Sequence, residues 1–330
     1  MRVTQAQLID LARDEVDRRA DGNGLLAAYL IGSIVHDQAI LGGAADIDLV
    51  LIHASEPLLE REIVPLSDDI HIDIAHHHRE RYAQPRLLRH HPWLGPAIYD
   101  PLPLYDPEHF FEWAQASARG QFLRPDHRLA RAKAFLERAR GIRAQLTSDR
   151  PWIASFLRAA ACGANAVASL AGQPSAGRRV LSTLRAATQE AGYPEAYHDL
   201  LRLLGADLCG AHHLPAWVAA WAKAFDSLQD LPTETDLGPE RRAYYLKGFQ
   251  ALLETDDPHL VLWTLLETWD RAVATLVAFS EAEDHLAPWE AARSTLGLTD
   301  GDAPRRFDEL ETYLDDREVT LETWSVHQGA

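Results

Sequence analysis

Asp46-Ile47-Asp48-Leu49-Val50-Leu51-Ile52 constrains this chain more than any other segment, because it opens an apolar strand with two acids two residues apart. Alternate residues of a strand share a face, so Asp46 and Asp48 point the same way and Ile47 points opposite. Charged carboxylates held that close repel each other. A divalent cation between them resolves the conflict, and hard oxygen ligands suit Mg²⁺. Upstream, Leu25–Ile31 is an apolar run of strand length ended by Gly32-Ser33, a strand running into a turn. A short helix-compatible stretch and a Gly42-Gly43 loop separate the two strands.

A third strand supplies a third acid. Ile70-His71-Ile72-Asp73-Ile74-Ala75 alternates, with His71 and Asp73 on one face and the isoleucines on the other. Placed beside the Asp46–Ile52 strand, Asp73 joins the two acids, and His71 approaches them without being a ligand. Three carboxylates around a Gly-Ser turn fit a two-metal phosphoryl-transfer site. The turn's N–H groups and the Ser33 hydroxyl would hold a nucleotide's terminal phosphates.

Gly32-Ser33, twelve residues, Asp46-x-Asp48 and then apolar-Asp73-apolar together resemble the DNA polymerase β-type nucleotidyltransferase superfamily, its small single-chain bacterial members above all. Pro103-Leu104-Tyr105-Asp106-Pro107 is similar to an element those members often carry. The resemblance is specific over residues 25–110. It implies an α+β protein: an N-terminal nucleotidyltransferase α/β domain with a small mixed sheet, then an all-α helical domain. It also implies that Asp46 and Asp48 bind two Mg²⁺ ions, that Asp73 binds the catalytic one, and that Gly32 and Ser33 hold the triphosphate of ATP or another NTP. Many members place an Arg-Gly pair three and four positions after the Ser, where this chain has His36-Asp37.

At 330 residues two domains are expected, 1–118 and 119–330, with the boundary near Arg119–Asp126, where Gly120 and Pro125 interrupt. A hydrophobic content of 47% supplies a full core, and two cysteines, Cys162 and Cys209, argue against a disulfide scaffold. The N-terminus has no apolar signal region and no run is greasy enough to span a bilayer, so a cytoplasmic location is expected. The net charge of −17 works against nucleic acid as a partner. That charge is uneven: residues 119–185 carry 13 Arg and Lys against 3 Asp and Glu, an excess that could serve one triphosphate.

Thr4 is a plausible N-cap for a helix over residues 4–20, with Leu8, Leu11, Ala12, Glu15 and Val16 at helical spacing and the acids facing water. Asp21-Gly22-Asn23-Gly24 turns into the first strand. His53–Leu66 reads as a polar connection holding Pro57 and Pro65, and Glu80–His91 as a basic helix. The His76-His77-His78 run matches no zinc spacing, and three adjacent histidines cannot face one ion. Ala97–Tyr99 and Leu102–Tyr105 read as later strands, with Tyr105 and Asp106 at the sheet's end.

Beyond Glu108 the pattern is helical, over Arg128–Leu146, Pro151–Leu170 (with a small-residue face), Val180–Glu190, Tyr193–Leu204, Ala216–Ser227, Glu240–Leu253, Leu260–Glu281 and Trp289–Leu296. Trp217, Trp221, Trp263 and Trp269 have core spacing. The acidic Arg306–Glu322 segment either caps the bundle as a helix or frays. The loop Ala171–Gly177 leads into Arg178-Arg179, which is similar to a feature of helical domains in some bacterial small-molecule nucleotidyltransferases. There the basic residue faces the nucleotide, so Arg178 and Arg179 join Gly32 and Ser33 as nucleotide-binding candidates.

The expected activity is metal-dependent transfer of a nucleoside monophosphate, AMP from ATP, to a hydroxyl of a small molecule such as an aminoglycoside-like antibiotic, with release of pyrophosphate. Asp73, or a Glu of the helical domain, would take the acceptor's proton. An acidic C-terminal third would attract a polycationic acceptor. Adenylylation of a protein is the second reading, weakened because no Arg, four to six residues, His pattern occurs in residues 120–330. A non-catalytic nucleotide-sensing module is the third, kept open by His36-Asp37.

Overall fold

The first helix begins at a reciprocal cap. The Gln7 backbone N–H donates to Thr4 Oγ1 at 3.3 Å, while the Thr4 N–H donates to Gln7 Oε1 at 2.9 Å, satisfying two helix-start donors. The computed structural model describes residues 3–20, 24–36, 38–149 and 151–330. Met1-Arg2, Asp21-Gly22-Asn23 and Asp37 of the sequence readings lie outside those residues. The described chain is mixed α+β and divides into two units, Met1–Phe122 and Leu123–Ala330. No helix among the described residues is long and apolar enough to cross a membrane.

In the first unit α1 (Gln5–Ala20) precedes β1 (Leu25–Ile31), β2 (Ile40–Leu41), β3 (Ala44–His53), β4 (Arg61–Ser67), β5 (Ile70–His78), α2 (Leu94–Tyr99), β6 (Leu102–Tyr105) and α3 (Phe110–Arg119). The sheet order is β4-β5-β3-β1-β6, with β2 paired to β3. β3 and β5 are parallel, and the other pairs are antiparallel. The period-two pattern sorts the side chains by face. Ile47, Leu49, Leu51, Ile72 and Ile74 meet Leu8, Ala12 and Val16 of α1 on one face. On the other, Val50, Ile52 and Tyr29 meet Leu94 and Ile98 of α2 and Phe111 and Ala114 of α3.

Several local expectations are corrected. The connection His53–Leu66 contains the edge strand β4, where Pro65 is tolerated because an edge strand has one unbonded side. Glu80–His91 is two 3-10 turns, Arg79–Tyr82 and Leu87–His90, and no helix. Ala97–Tyr99 belongs to α2 instead of a strand, because Ile98 is needed in the core over the sheet. Glu15 does not face water: it is buried and paired with Arg18 and Arg19.

The second unit is helical: α4 (Pro125–Arg143), α5 (Ile153–Ala168), α6 (Val180–Glu190), α7 (Glu195–Leu203), α8 (Leu214–Asp226), α9 (Arg242–Leu253), α10 (Leu262–Ala278), α11 (Glu283–Leu296) and α12 (Ala303–Gln328). Its axis is α5, buried along nearly its whole length between α4, α10 and α12. Gly163 sets the closest approach, since a Cβ there would lie 2.6 Å from Tyr313 Cε1 of α12. α11 starts six residues before the expected Trp289 and holds Pro288 in its second turn. The acidic end forms α12, with Leu310, Tyr313, Leu314 and Leu321 buried.

Candidate metal centre

The parallel pairing of β3 with β5 sets Asp46 opposite His71 and Asp48 opposite Asp73, so all four side chains share one face. One carboxylate oxygen from each of Asp46, Asp48 and Asp73 lies within 4.8 Å of the other two. Asp46 and Asp73 are buried and Asp48 is half-buried. His71 is fully buried beside them but is not part of this ligand group. The apolar cover of that face begins at Val50, one strand alternation past Asp48.

The turn after β1 completes the arrangement. Ile31 pairs with Asp48, and Gly32 follows with φ +73°, a left-handed conformation that favours glycine. A Cβ on Gly32 would collide with Asp48 Oδ2, so the missing side chain is the space that carboxylate occupies. Gly32–Ile34 forms one 3-10 turn, in which the Val35 N–H donates to the Gly32 carbonyl at 3.1 Å. The Gln38 N–H donates to the Ser33 carbonyl at 2.9 Å, and the Gln5 side-chain amide of α1 donates to the Ile34 carbonyl at 2.6 Å. Ser33 is half-buried beside this clamp.

The donor set is all oxygen, which suits Mg²⁺ or Mn²⁺ over Zn²⁺. At octahedral Mg²⁺ with bonds of about 2.1 Å, cis oxygens lie about 3.0 Å apart and trans oxygens about 4.2 Å, so binding draws the carboxylates together. The three acids fit a divalent cation.

Sequence reasoning missed Arg61, the first residue of β4. Its Nε donates to Asp73 Oδ1 at 2.7 Å and its Nη2 to Oδ2 at 2.5 Å, a two-pronged ion pair. Arg61 lies across from Ala75 and Ile63 from Asp73, so the guanidinium reaches Asp73 diagonally along one face. The available signal for β4 was the two-residue spacing of Val64 and Leu66, which pack on the α1 face, interrupted by Pro65.

The histidines have separate partners. His76 bridges His53 (2.9 Å) and Glu62 (2.9 Å) on the α1 face, and His78 pairs with Glu56 at 3.3 Å. His77 faces the other way, with Nδ1 2.7 Å from the Tyr82 hydroxyl, which lies 2.6 Å from the Tyr29 hydroxyl. Burial pushes His77 down to about 4, with smaller contributions from Arg81, His76, His91 and His53. Asp106 caps α3 by accepting the Phe111 and Glu112 N–H groups at 3.1 and 2.8 Å.

In the helical unit, Arg178 precedes α6. It lies in the 3-10 turn Gly177–Arg179, buried, with Nη1 donating to the Tyr244 carbonyl at 2.8 Å and its guanidinium 3.9 Å from the Tyr244 ring centre. Arg241 stacks on the same ring at 4.1 Å. Burial, and then Arg178, push the half-buried Arg179 down to about 10. Gly248 leaves room for the Arg178 stem, since a Cβ there would lie 2.9 Å from Arg178 Cδ. The loop before the turn is held by buried Asn165, which accepts the Ser175 N–H at 2.7 Å and donates to the Ser175 carbonyl at 3.0 Å.

In the comparisons with known proteins, no family model and no curated protein matches this chain.

Proposed function

We propose that the protein is a metal-dependent nucleotidyltransferase that moves AMP from ATP, or a nucleoside monophosphate from another NTP, to a hydroxyl of a small molecule. The observation that carries this reading is the convergence of Asp46, Asp48 and Asp73 on one face of adjacent strands, against a left-handed Gly32 turn where a Cβ would meet Asp48 Oδ2. Asp46 and Asp48 would hold two Mg²⁺ ions and Asp73 one of them. When bound, the cations neutralise phosphate charge and make the acceptor hydroxyl more acidic.

The chain's own residues supply the rest. The Ser33 hydroxyl and the N–H groups of its turn orient the donor's terminal phosphates, held in place by Gln5. Asp73 is the assigned acceptor of the substrate hydroxyl's proton. An aminoglycoside-like polyamine is the proposed acceptor class and the cytoplasm the proposed location.

The test is incubation with each labelled NTP and Mg²⁺ against aminoglycosides, lincosamides and cell extract. A labelled small-molecule adduct, lost with Asp46→Asn or Asp48→Asn while those variants stay folded, is expected. A labelled protein in the extract arm would move the acceptor class to protein. Nucleotide binding with no adduct in any arm would refute the transferase reading.

A further inference from the structure

We infer that Arg61 is the built-in counter-cation of the metal-free site, and that a divalent cation is held at Asp73 only by displacing it. This rests on reading Asp46, Asp48 and Asp73 as metal ligands, and it adds a residue to that site.

Three carboxylates whose oxygens lie within 4.8 Å of one another repel when charged, so the fold must manage that repulsion whenever no cation is bound. The Arg61 fork engages both oxygens of Asp73. A carboxylate offers about four lone-pair sites, and the fork takes one on each oxygen. A cation on the remaining sites would sit only a few ångströms from the guanidinium charge. Like charges at that distance repel strongly where water is partly excluded. Shared occupancy of Asp73 is therefore unfavourable, and the two cations compete.

The partners differ in how easily they move. Asp73 is fixed in β5, with neighbouring strands on both sides, and its side chain is 10% exposed. Arg61 opens the edge strand β4, and its side chain is 40% exposed. Releasing it to solvent breaks no packing in either core cluster of the sheet. Arg61 is thus the member that yields. Displacement also lifts the fork from the Asp73 oxygen that the cation does not take, so that oxygen can accept a proton only when the site is loaded. Arg61 is a positioning residue, acting through Asp73.

The experiment is titration of the 330-residue chain with Mg²⁺ and with Mn²⁺ by calorimetry and thermal melting, without nucleotide, in wild type, Arg61→Gln and Asp46→Asn. Arg61→Gln should melt lower than wild type without metal, bind metal at least fivefold more tightly, and gain more in Tm on loading. If it does not fold, Arg61→Met keeps the stem, loses the charge and carries the same expectation. Unchanged or weaker metal affinity in the Arg61 variants, with wild type binding metal and Asp46→Asn failing to, would overturn this inference alone. A wild type that binds neither ion would overturn both it and the reading it rests on.

Discussion

At the scale of single residues, the centre depends on one atom group that is absent. Gly32→Ala forces a side chain into φ +73°, at about 1–2 kcal/mol, and drives its Cβ into Asp48 Oδ2. The expected outcome is a folded protein with a lower Tm whose Mn²⁺ affinity falls at least tenfold, because Asp48 is pushed off its partners. Calorimetry with Mn²⁺ checks it, and wild-type affinity in the variant would break the link between the turn and the carboxylates. A second residue-scale prediction concerns acid. His77 is pushed down to about 4 in the fold by burial, against about 6.5 in an unfolded chain. Between those values the unfolded state binds the extra proton, so stability falls as pH drops from 6.5 towards 4. The loss is on the order of 2 kcal/mol after allowance for partial exposure. His77→Gln should flatten that limb of the urea midpoint against pH, and an unchanged slope would assign the acid sensitivity to other groups.

At the scale of elements, close approach decides stability. Gly163→Ala in α5 improves helix propensity by about 1 kcal/mol. It also places a Cβ 2.6 Å from the Tyr313 ring, whose hydroxyl is committed to the Ala160 carbonyl at 3.2 Å, so the ring cannot retreat freely. Overpacking of this kind costs about 1–3 kcal/mol, and the net expectation is destabilisation by about 1 kcal/mol. Equilibrium denaturation measures it, and a stabilised variant would mean that α12 shifts to accommodate the methyl group. The small-residue face of α5 was legible because it is a local run. The edge strand β4 was not, because proline is forbidden in a central strand and allowed at an edge, and edge position is a property of the whole sheet.

At the scale of the molecule, charge is the instructive quantity. The basic excess of residues 119–185 suggested an external anion, yet much of it is matched inside the helical unit. Arg140 of α4 pairs with Glu311, Asp315 and Glu318 of α12 at 3.0, 2.8 and 2.6 Å, and Arg143 pairs with Glu311 at 3.3 Å. The acidic C-terminal segment is thus a partner of the basic one, and it holds a helix instead of fraying. Arg178 belongs to the same reassessment. A solvated arginine at a helix start predicts a neutral or slightly stabilising alanine variant. The buried, stacked Arg178 predicts the reverse: Arg178→Ala should lower stability by about 2–3 kcal/mol, through the lost charged hydrogen bond and the gap left beside Gly248. Denaturation of the variant separates the two signs.

What the sequence by itself determined is what depends on neighbours along the chain. An apolar run identified β1, two-residue alternation put Asp46 with Asp48 and His71 with Asp73 on one face of their own strands, and 3.6-residue periodicity found the helices of the second unit. What only the tertiary structure decided is what depends on neighbours across space. The parallel register that sets Asp48 beside Asp73 is one such feature, as are the helical state of Ala97–Tyr99 under the sheet, the burial of Glu15 and the pairing of α4 with α12. Arg61 is the sharpest case. Nothing local distinguishes it from other surface arginines, because its partner lies twelve residues away on a strand that exists only once β4 and β5 have paired.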